Sequence, residues 1–129
     1  MINLENEKRL KQIDWSIIGI IIIISLLIHS IYLLINEKKR ILDIDSISDE
    51  EFVIQALINR SIASAIVLMF FLFNLSNYLD TINNPESSED EINSRLLNLI
   101  TSSLALIATL VEVFSVVRNY ILLKENNNN

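Results

Sequence analysis

The stretch that decides the fold is Ser16 to Ile35, SIIGIIIIISLLIHSIYLLI, an interval without a single Lys, Arg, Asp or Glu. At a rise of about 1.5 Å per residue, a helix over it is roughly 30 Å long, the thickness of a bilayer's hydrocarbon core. A second uncharged interval runs from Ser61 to Leu79, and a third, Leu96 to Val117, contains only Glu112. A soluble fold interleaves apolar and charged residues so that each element keeps a wet face. Here they are segregated: of 129 residues 51% are hydrophobic and 20% charged, and the charges lie between the apolar blocks. The expected fold is all-α: an integral membrane protein of one domain, 1–129, with transmembrane helices at about 16–35, 61–79 and 96–117. The tail Asn126 to Asn129 has nothing to bury and is expected to be disordered.

The residues around the blocks support these limits. Trp15, Tyr32, Tyr78 and Tyr120 stand at or near block ends, where an amphipathic ring meets the headgroups. Lys8, Arg9 and Lys11 precede the first block as they would a signal peptide. No small-residue cleavage site follows it, however, so the block reads as a retained anchor. Ser48 with Glu51, and Ser88 with Glu91, have capping-box spacing, so helices are expected to begin there. A helix from Ser48 to Leu79 is about 48 Å long, so its first turns, Phe52 to Asn59, are expected to protrude or lie in the interface. Asn83, Asn84 and Pro85 mark the turn before the third block, which makes the second and third spans a long antiparallel hairpin.

Orientation follows the distribution of Lys and Arg, which favours the cytoplasm. With three spans, Lys8, Arg9, Lys11 and Arg95 share one side, while Lys38, Lys39, Arg40, Arg60, Arg118 and Lys124 share the other. The larger group places the N-terminus outside and the C-terminus inside a multi-pass cell-membrane protein. Abundant Ile and Asn with a single Gly fit an AT-rich coding sequence, expected of a low-GC bacterium.

The third block carries a heptad-like stripe of small and polar residues, Asn98, Thr101, Ala105, Ala108, Glu112, Ser115 and Asn119, the kind of face that packs on protein in a membrane. The opposite face, with Leu99, Leu106, Leu110, Val113 and Val117, is expected to meet lipid. On the second block Arg60, Ala63, Val67, Phe70, Asn74 and Asn77 form a matching stripe. An index sum near 175 sets Asn77 by Asn98, Asn74 by Thr101, Phe70 over Ala105 and Val67 over Ala108, with Ala63 opposite Glu112 and Arg60 beside Ser115. The expected packing seam is therefore Asn98, Thr101, Ala105, Ala108, Asn74 and Asn77.

A carboxylate near hydrocarbon must be paired or protonated. Arg60 is long enough to reach Glu112, and His29 lies at a similar depth, so Glu112, Arg60, His29 and Ser115 are expected to form a buried polar cluster. One reading makes it a proton- or cation-handling site, with Glu112 titrating, Arg60 setting its charge and His29 relaying. The favoured reading is a structural ion pair that fixes helix register.

Several function classes fall away. The net charge is −6, from 10 Lys plus Arg against 16 Asp plus Glu, and no basic-aromatic patch offers a footprint for nucleic acid. Zero Cys and one His do not suffice for an ordinary zinc site, and no HExxH, GxSxG or phosphate-binding Gly loop occurs. No catalytic, cofactor or metal site is expected, and the chain is read as a non-enzyme. The expected role is that of an accessory, regulatory or scaffold subunit acting through helix contacts. Its partners are the lipid bilayer and either another membrane protein or further copies of itself. The alternative is an oligomeric channel or ion-translocating subunit using Glu112. A third class, toxin-related membrane proteins (immunity or hole-forming), is similar to the chain in size and topology only. The ending Lys124, Glu125 and four Asn lacks the basic tail common in the hole-forming kind.

Overall fold

The computed structural model describes residues 3–128, and over these the chain forms three α-helices: α1 (Leu4–Ile41), α2 (Asp49–Asn83) and α3 (Glu89–Asn127). Each is long and apolar enough to cross a membrane. All three begin at capping side chains. Asn3 accepts from the Asn6 amide at 2.8 Å, while Ser48 and Ser88 accept from the Glu51 and Glu91 amides at 3.1 Å each. Acidic residues crowd the first turns of α2 and α3, where they complement the positive end of the helix dipole.

α1 ends in a Schellman motif. The Asp43 amide donates to Arg40 O at 3.1 Å and the Ile44 amide to Lys39 O at 2.8 Å, with Asp43 at φ 57°. Asn36, 4% exposed, buttresses the following loop by accepting from the Ile47 amide at 3.3 Å. Between α2 and α3, Asn84 closes a turn over Pro85: its side chain accepts from the Glu86 amide and its carbonyl from the Ser87 amide. The C-terminus departs from expectation. α3 continues through Asn127, with the Asn128 amide bonded back to Lys124 and Glu125, because adding residues to an existing helix costs far less than starting one. Asn129 lies outside the described residues.

α2 is the middle helix. Among the described residues no Cα of α1 comes within 8 Å of a Cα of α3, so each packs on α2 from its own side. α1 does so through a narrow, largely polar line in which Gln12, Ser16, Gly19, Leu26, Ser30, Leu33 and Asn36 are buried or half-buried. At Gly19 the side chains of α2 press closely on α1: a Cβ there would lie 3.1 Å from Met69 Cε and Phe70 Cζ and 3.2 Å from Ile66 Cγ2. Between α2 and α3, Asn74 Nδ2 donates to Ser102 Oγ at 2.9 Å and Arg60 Nε stands 3.4 Å from Glu112 Oε2. Lys124 Nζ closes the end at 2.7 Å from Glu50. These pairs run in opposite order along the two helices, within one turn of an index sum of 175. The hydrogen bond that Lys124 donates to Glu50, reinforced by that carboxylate's charge, holds its ammonium above the usual lysine range.

Ion pairs also fasten α1 to both ends of α2. Lys8 reaches Asp80 and Ser76, each at 2.6 Å, and Arg40 pairs with Asp49 while its guanidinium lies 4.4 Å from the Phe52 ring centre. The apolar core is slight. Leu33, 5% exposed, is the one buried large hydrophobic side chain among the described residues, whereas Ile17, Ile20, Leu27, Leu34, Leu104 and Phe114 all point outward. Polarity inside and hydrocarbon outside is the reverse of a water-soluble bundle.

Candidate functional site

The best-connected polar group lies where α1 and α2 cross toward α3. Its centre is Asn59, at 2% exposure the most buried polar residue described. Its amide nitrogen donates to Leu26 O at 3.0 Å, to His29 Nδ1 at 2.9 Å and, more weakly, to Ser30 Oγ at 3.4 Å. Because His29 Nδ1 accepts, the proton of a neutral imidazole resides on Nε2, which donates to Gln55 Oε1 at 3.0 Å. Gln55 in turn donates to Glu51 at 3.3 Å. On the other side Arg60 donates to Asn59 Oδ1 at 2.9 Å and to Ser30 Oγ at 3.2 Å, and its Nε faces Glu112. A continuous polar chain thus runs Glu51, Gln55, His29, Asn59, Arg60, Glu112, touching all three helices.

Helix periodicity builds this chain. Glu51, Gln55 and Asn59 recur every four residues and so form one ridge of α2, which the His29–Ser30 turn of α1 faces. Arg60, one residue on, is rotated by about 100° toward α3. His29 also stacks on Tyr32, with ring centres 5.9 Å apart.

Of the four residues expected in the buried cluster, Arg60 contacts Glu112 directly and joins His29 through Asn59. Ser115 is exposed and makes no side-chain hydrogen bond among the described residues. Glu112 is not buried: 58% of its side chain is open, because it projects from the flank of α3 and only Arg60 reaches out to it. Asn59 and Gln55 lie in the turns expected to protrude from the hydrocarbon or lie in its interface and were given no part in the cluster, whereas the structure puts them at its centre. The four-residue polar recurrence from Glu51 was the signal for them.

The seam is also placed differently from expectation. Asn74 and Asn77 of α2 are half-buried, but on α3 Asn98, Thr101, Ala105 and Ala108 are exposed, as are Glu112, Ser115 and Asn119. The α3 face that packs on α2 carries Leu99, Ser102, Leu106, Thr109 and Val113, one residue further along and so rotated by about 100°. Three of these, Leu99, Leu106 and Val113, were assigned to lipid. Leucine and valine fill the grooves of α2 better than alanine does, and Ser102 alone supplies the hydrogen bond that Asn74 needs. The displaced stripe borders an open groove of about 350 Å³, walled by Val67, Phe70, Asn74, Asn98, Thr101 and Ala105.

Comparisons with protein-family models, with curated proteins and with solved structures gave no match to this chain.

Proposed function

We propose that the chain is a multi-pass membrane protein, N-terminus outside and C-terminus inside, whose α2 and α3 form an antiparallel transmembrane hairpin. It acts without catalysis, as an accessory, regulatory or scaffold subunit that recognises another membrane protein or its own copies by helix contact. The observation that carries this reading is the uncovered stripe on α3. Asn98, Thr101 and Glu112 stand exposed along an otherwise apolar helix, with Ala105 and Ala108 between them. In hydrocarbon such polar groups are costly unless another helix meets them, and the alanines allow that helix to come close.

Absence of native cysteine makes the test clean. Single cysteines at Ala105 and Ala108 are expected to crosslink in native membranes and to resist a lipid-soluble maleimide, whereas a cysteine at Phe114, on a lipid-facing position, labels freely. Equal labelling at all three positions sinks the reading. A second reading, an ion-translocating oligomer, is favoured by the unbroken chain from Glu51 to Glu112. Proton flux into liposomes that is present in the wild type and lost in Glu112→Gln supports it, and absent flux from a folded preparation removes it.

A further inference from the structure

At the end of the bundle opposite the Glu51–Glu112 chain lies a half-open polar cavity of about 200 Å³, walled by all three helices. Arg9 and Lys8 come from α1, Asn77 and Asp80 from α2, and Arg95 from α3. Lys8 is committed to Asp80 and Ser76. The two guanidinium groups are not committed. Among the described residues Arg95 has no carboxylate within ion-pair distance and no hydrogen-bond acceptor. Arg9 reaches only Gln12, at 3.4 Å. Glu5 also borders the cavity yet pairs with neither arginine. The Asn77 amide likewise has no protein partner among the described residues.

We propose that this cavity binds a phosphate group, held by Arg9 and Arg95. Two guanidinium groups without a carboxylate partner border one small cavity, so an anion seated there would be met from both α1 and α3. Their planar forks match phosphate oxygens two at a time, and Asn77 offers a neutral donor beside them. The excess of cation is local, for the chain as a whole carries −6. An anion there also supplies what the fold lacks, a link between α1 and α3, which no backbone approach provides.

Two sources share this chemistry. Asp80 and Arg95 directly flank the ends of the uncharged intervals at Leu79 and Leu96, so a lipid headgroup phosphate sits at the right level if the chain spans a bilayer. That source rests on the membrane reading above, whereas a free phosphate does not.

The test uses the full chain purified in non-ionic detergent, with phosphatidylglycerol, phosphatidylcholine and inorganic phosphate as probes. Native mass spectrometry is expected to show one retained phosphatidylglycerol per chain, about tenfold weaker in Arg9→Gln and in Arg95→Gln. Arg95→Lys, which keeps the charge without the fork, is expected to fall between, and Lys11→Gln, outside the cavity, to match wild type. Circular dichroism confirms that each variant remains helical. Inorganic phosphate raising the melting temperature of the wild type but not of the variants, with no preference among lipids, assigns the site to free phosphate. That result in a chain that fractionates away from membranes keeps the site and overturns the membrane reading. Variants indistinguishable from wild type with every probe, or no retention of any, overturn the proposal.

Discussion

Arg60 is the side chain on which the three helices converge, since it bonds Ser30 of α1, Asn59 of α2 and Glu112 of α3. Truncating it leaves Glu112 an unpaired carboxylate on an apolar helix. If α3 spans a bilayer as proposed, the expected cost of Arg60→Ala is about 2 to 3 kcal/mol, the scale of an uncompensated charge in a membrane helix. Glu112→Gln removes the charge along with the pairing, and since the pair is partly open the expected cost is about 1 kcal/mol or less. The double variant is expected to recover about 1 kcal/mol or more relative to the sum of the singles, read from unfolding titrations in mixed micelles. Additivity within about 0.5 kcal/mol would show that the two side chains do not interact. The Arg60–Glu112 contact was legible in the sequence because a lone carboxylate in an apolar block demands a cation within reach. The role of Asn59 was not: a single amide signals burial only when its partners, Leu26 O and His29, are known from the neighbouring helix.

Individual helices were legible wherever a local rule governs. Ser48 and Ser88 cap the helices their spacing indicated, because a cap is a contact between residues three apart and needs no tertiary information. The rotation of α3 was not legible. Polarity alone ranks Asn98 and Thr101 as inward-facing, whereas side-chain volume, Leu99 and Leu106 against the surface of α2, decides which face packs. The α1 terminus shows a local rule under strain. Asp43 occupies the left-handed region at φ 57° to complete the Schellman motif, a position glycine fills without steric cost. Asp43→Gly is therefore expected to stabilise the chain by about 0.5 to 1 kcal/mol, and Asp43→Ile to destabilise it by about 1 kcal/mol or more, since branching at Cβ worsens the clash. Thermal unfolding of the two variants beside the wild type measures this. Equal midpoints would mean that the turn does not persist in solution.

For the molecule as a whole, the ion pairs at its two ends sort the charges into opposing sets. Lys8 joins Asp80 at one end, whereas Arg40 with Asp49 and Lys124 with Glu50 close the other. The N-terminal turns of α1 therefore share an end with the Asn84–Ser88 turn, and the C-terminal turns of α3 share one with the 42–48 loop. If each helix spans the bilayer, three crossings follow, and in the proposed orientation the second end, with the greater number of Lys and Arg, is the cytoplasmic one. Glu86, Ser46 and Asn126 are exposed, so single cysteines there report the sidedness of each segment without disturbing packing. In intact cells a membrane-impermeant maleimide is expected to label Glu86→Cys and to reach Ser46→Cys and Asn126→Cys only after permeabilisation. The reversed pattern would invert the orientation while preserving three crossings. Labelling of Glu86→Cys and Ser46→Cys from the same side would mean that α2 does not cross at all, and the uncharged interval Ser61 to Leu79 would then need some apolar surface other than lipid to cover it.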